Sequence, residues 1–155
     1  MPELARNKRA TFDYDILEKF EAGIELLGFE VKAVRAGRLN LGGSYVIIRG
    51  EPSSAKAMAG KEAYLINADL PPYQPMNTPT DYDSKRTRRL LLRKDEIKKL
   101  MGRSKESNLT IVPLSVYTKG TLIKLSIGLA RPKKKADKRE AIKKREADRE
   151  IRRVS

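Results

Sequence analysis

From residue 12 to residue 26 the even positions are apolar with one exception: Phe12, Tyr14, Ile16, Phe20, Ala22, Ile24 and Leu26, broken only at Glu18. The odd positions are mostly Thr, Asp, Lys, Glu and Gly. Alternation of this kind predicts a half-buried β-strand, because successive strand side chains leave on opposite faces. Gly23, inside so long a strand, predicts a bend that lets it serve two sides of a barrel. At Gly28 the period changes. LGFEVKAVRAG, residues 27–37, places Leu27, Val31 and Val34 on one side at helical spacing. Lys32 and Arg35 turn elsewhere, and Gly37 fits a C-terminal cap.

SYVIIR at 44–49 and EAYLINADL at 62–70 predict two further strands, with GEPSSAKAMAGK as the loop between them. PPYQPMNTPTDY, which holds four of the chain's 8 prolines, predicts a stiff and irregular connection. RLLLRK reads as a short strand leading into a helix over KDEIKKLMG, with Ile97, Leu100 and Met101 on one face. LTIVPLSVY and TLIKLSIGLA then form a hairpin across Lys119 and Gly120. In its second arm Ile123, Leu125, Ile127 and Leu129 alternate strictly, so that face is core. The expected fold is mainly β: a small antiparallel β-barrel of the oligonucleotide-binding kind, about six strands with two short inserted helices. It occupies residues 1–130 as one domain.

Residues 131–155 follow a different pattern. RPKKKADKREAIKKREADREIRRVS holds twelve Lys or Arg against five Asp or Glu, and no aromatic residue. Asp137 and Glu140 are spaced as a capping box, and Glu140 with Lys144 and Asp148 with Arg152 are favourable helical pairs. Ile142, Ile151 and Val154 make only a thin apolar stripe. A helix with so little to bury is marginal alone, and its charge is self-repelling. The expectation is a basic C-terminal tail, disordered when free and helical when bound to a polyanion.

The whole chain carries 34 Lys and Arg against 20 Asp and Glu, a net charge of +14 over 155 residues. Half of that excess lies outside the tail, so the body is basic in its own right. Such a balance points to nucleic acid or an anionic membrane surface as partner. The absence of cysteine excludes disulfides and thiolate metal sites and suits a reducing cytosol. The absence of histidine removes the commonest general base and the usual zinc ligand. No catalytic residue, metal or cofactor is therefore expected, and the chain does not read as an enzyme. It has no apolar leader and no stretch near the ~20 apolar residues of a membrane span, so a cytoplasmic protein with no membrane partner is expected.

Gly60 and Lys61 suggest a phosphate loop, but Ala55 and Glu62 stand where that motif needs Gly and Ser or Thr. The pairs Asp13/Asp15 and Asp81/Asp83 read as solvated surface rather than acid–base or magnesium sites. DYDSKRTRRLLLRKDE is stronger. Lys85, Arg86, Arg88, Arg89, Arg93 and Lys94 flank Leu90, Leu91 and Leu92, a compact source of phosphate contacts or a charged edge strand. With 6 Tyr, 3 Phe and no Trp, several of them assigned to the core, recognition of RNA shape and backbone is expected over base stacking.

NKRATFDYDILEKFEAGIELLGFEVKAVRAGR, SYV, RTRRLLL and ADKREAIKKRE, in this order, resemble the SsrA-binding protein family, also called small protein B, the partner of transfer-messenger RNA. The resemblance covers nearly the whole chain from Asn7 onward. It implies a small barrel that binds the transfer-RNA-like domain of that RNA and carries it to ribosomes stalled without a stop codon. The body stands in for the missing anticodon arm, the tail becomes a helix in the emptied messenger channel of the small subunit, and trans-translation follows. The partners implied are transfer-messenger RNA and the ribosome, including small-subunit ribosomal RNA, with the protein acting as a monomer. Carried over by motif, the RNA-binding candidates are Asn7, Lys8 and Arg9 in NKR, Glu21 in FEAG, Glu30 and Lys32 in EVK, Arg35 in RAG, and Leu91 in RLLL. Arg86 and Arg88 join them from the charge pattern. Glu21 or Glu30 can accept from a base amino group, orient a neighbouring cation, or only stabilise the barrel surface. For the ribosome the candidates are Lys133, Lys134, Lys135, Asp137, Lys138, Arg139, Ile142, Lys143, Lys144, Arg145 and Ile151. The chain departs from the family pattern at Gly43, Ser84, Arg89 and Pro132, and in a longer 50–62 loop. The competing reading is a structural ribosomal or ribosome-assembly protein, with a barrel body and a basic extension in ribosomal RNA.

Overall fold

Residues 12–26, read as one strand, divide. In the computed structural model, which describes residues 3–50, 61–106 and 108–133, Phe12 and Asp13 close a short helix, α1 (Lys8–Asp13), and β2 runs Tyr14–Ile24. The helix forms here because it has something to cover. Ala10 is buried with Val112 and Ala130, and Tyr14, Ile16 and Leu114 pack around them. Ahead of it lies β1 (Glu3–Arg6), too short and polar to register as a pattern. Along β2 the expected alternation holds, with Asp15, Leu17, Lys19 and Glu21 outward. It stops at Ala22, Gly23 and Ile24, all buried. There Leu91 of the neighbouring strand lies over Gly23, and a Cβ at that glycine would stand 3.1 Å from Leu91 Cβ.

The remaining elements are α2 (Gly28–Arg35), β3 (Tyr45–Gly50), β4 (Lys61–Ile66), a 3-10 turn at Pro75–Asn77, β5 (Arg88–Leu91), α3 (Lys94–Glu106), β6 (Thr110–Lys119) and β7 (Leu122–Pro132). The described residues thus hold one strand and one helix more than expected, the added pair being β1 and α1. The strands form one antiparallel sheet in the order β1-β6-β3-β4-β5-β2-β7, and β7 pairs again with β6. The β6–β7 hairpin turns at Gly120, whose φ of 63° is cheap only for glycine.

The core takes Leu125, Ile127 and Leu129 from β7, Val116 and Ile111 from β6, Leu65 from β4, Leu90 from β5 and Leu100 from α3. In β7 Gly128 and Ala130 are buried as well, because Ile16 and Leu114 close the other side. A Cβ on Gly128 would come within 3.0 Å of Ile16 Cγ2. α3 outruns its expected end at Gly102, with Ile97 and Leu100 buried and Met101 half-buried as expected.

α2 departs from the sequence reading in one instructive way. Its buried residues are Glu30, Ala33 and Val34, not Leu27, Val31 and Val34. Leu27 is 44% exposed. A carboxylate displaces an apolar side chain from the core face because its neighbours satisfy it fully. Gly37 ends the helix as expected, at φ 77°, donating to Val34 O at 2.9 Å.

β7 continues to Pro132, past the expected body–tail boundary at 130. Lys133 is then tied back to α1, its N–H donating to Asp13 O at 2.9 Å and its Nζ to Thr11 O at 3.0 Å.

Candidate nucleic-acid interface

Glu30 sits at the third position of α2, where its Oε1 accepts the Leu27 N–H at 2.8 Å and caps the helix start. Its side chain has 0% exposure. Arg88, the first residue of β5, is equally enclosed and donates through Nη2 to Glu30 Oε2 at 2.7 Å and through Nε at 3.1 Å. Its remaining donors reach Ala68 O at 2.9 Å and the carbonyls of Arg86 and Ser84, each at 3.1 Å. Arg86 closes the other side, its Nε 3.1 Å from both Glu30 oxygens and its Nη2 on Oε1. Tyr82 completes the cluster. Its Oη lies 2.8 Å from Glu30 Oε2 and 3.0 Å from Leu70 O, and accepts from Arg88 Nη2 at 3.1 Å.

Burial alone would push the Glu30 carboxyl up. Donation from Arg86, the Leu27 N–H and Arg88 outweighs it and holds the pKa at about 2, against an ordinary 4.5. Burial and the adjacent carboxylate together raise Tyr82 from 10.0 to about 12. One anion thus faces two guanidiniums, and among the described residues every buried side-chain nitrogen and oxygen has a partner. The cluster joins α2 to the proline-rich connection and β5, more than fifty residues further along the chain.

Two of the candidates, Glu30 and Arg88, are fully enclosed. They have no surface to offer a phosphate or a base, so what they can supply is position. Arg86 retains 27% side-chain exposure, but its charge is already paired. Asn7 is also buried. Its Nδ2 donates to Pro113 O at 2.9 Å and its N–H to Leu114 O at 2.8 Å, fixing the link between β1 and α1.

The other candidates lie outside. Lys32 and Arg35 are exposed on α2, and Arg35 Nη2 reaches Thr121 O at 2.9 Å, bracing the helix against the β6–β7 turn. Leu91 is 49% exposed beside Gly23, whose other partner is Lys124. Glu21 faces outward, but Tyr117 Oη and Lys119 Nζ donate to it. Those two hydrogen bonds, the tyrosine's first, hold its carboxyl below the usual range despite some burial. Burial and that carboxylate raise Tyr117 to about 12. Lys8 and Arg9 are exposed on α1, which belongs to the opposite end. The β2–β7 ladder from Tyr14–Pro132 to Gly23–Lys124 is about 30 Å long at the usual strand rise.

The candidates therefore form two groups. One surrounds α2, β5 and the hairpin turn, and the other surrounds α1 with Lys133. Lys134, Lys135, Asp137, Lys138, Arg139, Ile142, Lys143, Lys144, Arg145 and Ile151 lie outside the described residues. Tyr82, Tyr117 and Lys119 were missed. Each acts across a turn or a sheet at more than fifty residues' separation, where no local pattern signals it.

Three comparisons bear on this arrangement. The family model described as "SmpB protein" matches residues 4–155. The SsrA-binding protein of Gloeothece citriformis is 46% identical over 148 residues, covering 96% of this chain and 89% of the relative. That of Mesoplasma florum is 47% identical over 146 residues, covering 94% and 91%. A solved structure described as "tmRNA-SmpB: a journey to the center of the bacterial ribosome" is 39% identical, with a TM-score of 0.63. It covers 89% of this chain and 93% of its own.

Proposed function

The chain belongs to the SmpB protein family, and from that membership we propose that it binds the transfer-RNA-like domain of transfer-messenger RNA and delivers it to stalled ribosomes for trans-translation. The observation that carries this reading is likeness to SsrA-binding proteins along nearly the entire chain, tail included. The net charge of +14 fits an RNA partner, and the protein works by binding rather than catalysis, in the cytoplasm and as a single copy.

Six strands paired in a ring, β6-β3-β4-β5-β2-β7 and back to β6, with β1 added at β6, fit a small closed barrel of the oligonucleotide-binding kind. On it, exposed Lys32 and Arg35 supply phosphate contacts, and Leu91 supplies an apolar contact beside Gly23. Glu30, Arg86 and Arg88 hold α2 against β5, so these side chains stand in fixed register before RNA arrives. Pre-organisation of this kind lowers the ordering cost of binding. Asn7 does the same for α1, which presents Lys8 and Arg9. Division into a body and a basic tail follows, with Lys133 as the last body anchor. The tail becomes a helix on small-subunit ribosomal RNA.

The test is a reconstituted translation system stalled on a messenger without a stop codon. With transfer-messenger RNA and the full chain added, the nascent protein is expected to gain the encoded tag and be released. Absence of tagging, with the RNA bound normally, would refute delivery and leave only RNA binding.

A further inference from the structure

Beside α2 lies a pocket of about 170 Å³ lined by Gly28, Phe29, Lys32, Tyr73, Gln74 and Thr78. It is smaller than the ~300 Å³ at which sites for larger organic ligands begin, so it suits one small planar group. Its lining combines two aromatic rings, a cation, an amide and a hydroxyl, with no carboxylate among the described residues. A Cβ on Gly28 would meet nothing within 4 Å, so the space next to the backbone there is open. Arg38 lies over the Tyr73 ring at 5.4 Å, adding a second positive charge at the rim, while Tyr73 stays 43% exposed.

The walls are built before any ligand arrives. Phe29 packs edge-on against Tyr82 with ring centroids 4.9 Å apart, and Tyr82 is locked into the Glu30 cluster. The opposite wall belongs to the proline-rich connection. It is closed at its base where Leu70 N–H donates to Ser84 O at 2.9 Å, and stiffened where Thr78 Oγ1 donates to Gln74 O at 2.8 Å.

We propose that this pocket receives one unpaired nucleobase of the bound RNA, with Tyr73 and Phe29 as its apolar and stacking walls and Lys32 on the adjoining phosphate. The proposal rests on the RNA-binding reading above and deepens it: beyond backbone and shape, the protein reads one splayed-out nucleotide. An unpaired base is the fitting occupant because it is planar, already unstacked, and joined to an anionic phosphate. The rings and Lys32 match those features in turn.

The experiment titrates the full chain with transfer-RNA-like RNA carrying the fluorescent base 2-aminopurine at one unpaired position at a time. One position is expected to change fluorescence on binding to the wild type. In Tyr73→Ala that change is lost and affinity falls about tenfold to a hundredfold, the usual range for one stacked base. Tyr73→Phe keeps the ring and is expected to stay near wild type. Because Tyr73 is largely outside the core, unchanged thermal melting of Tyr73→Ala shows that folding is intact. Should the wild type bind while Tyr73→Ala matches it within twofold, or should no position respond, the pocket is no base site. Unchanged RNA affinity with lost ribosome association would assign it to another partner and equally overturn the proposal. Failure of the wild type to bind this RNA at all would instead refute the underlying function.

Discussion

Two ends of one β-sheet are held together by opposite means. At the α2–β5 corner a buried carboxylate and a buried guanidinium are closed over by a second, half-buried guanidinium, with Tyr82 as the fourth member. At the α1 end the ties are uncharged or reach only carbonyls: Asn7 on Pro113 and Leu114, and Lys133 on Thr11 and Asp13. The first arrangement cannot lose a member cheaply, since a buried charge without its partner costs several kcal/mol. The second can relax, because each tie is a single net hydrogen bond. Under the proposed function, the corner is the rigid recognition face and the α1 end is where the tail leaves the body.

The sharpest way to break this contrast is Glu30→Gln. It preserves shape but strands two guanidiniums, and is expected to cost about 3–5 kcal/mol of folding stability, measured by denaturant unfolding. The pH dependence follows from the same residue. Its folded pKa of about 2 lies below its ordinary 4.5, so its contribution is complete above about pH 4.5 and fades as pH falls towards 2. About 3 kcal/mol is expected to vanish across that window, and the gap between wild type and Glu30→Gln should close there. At the other end, Asn7→Ala leaves a buried carbonyl without its donor and is expected to cost about 1–2 kcal/mol. If it proves as damaging as Glu30→Gln, the contrast fails. The smallest effect is expected at exposed Glu21. Glu21→Gln should leave unfolding nearly unchanged while the Tyr117 pKa falls from about 12 towards 10.0, read by ultraviolet titration.

Much of this was legible in the chain. The alternation along β2, the core face of β7 and the glycines at 37 and 120 follow from period and backbone physics alone. α1 escaped because the even-residue pattern of the following strand extends into Phe12, and a period of two there masked a helical turn. The EVK motif points to Glu30, but nothing local in the sequence signals its burial. A carboxylate on a helix looks solvent-facing until Arg86 and Arg88, over fifty residues away, arrive beside it. The same long range turned Arg88 from a supposed phosphate contact into a core residue, while its neighbour Arg89 stayed outside. Sequence can count cations but cannot tell which ones the fold will consume.

The most direct test of body-centred recognition compares the full chain with one ending at Lys133 in titrations of labelled transfer-RNA-like RNA. Unrelated structured RNA is present in excess and salt is varied. The expected result is selective binding by both, with only a modest difference in the slope of log affinity against log salt. Loss of binding on truncation, or free displacement by the competitor, would mean that the tail acts as a general polycation and that the body does not recognise the RNA.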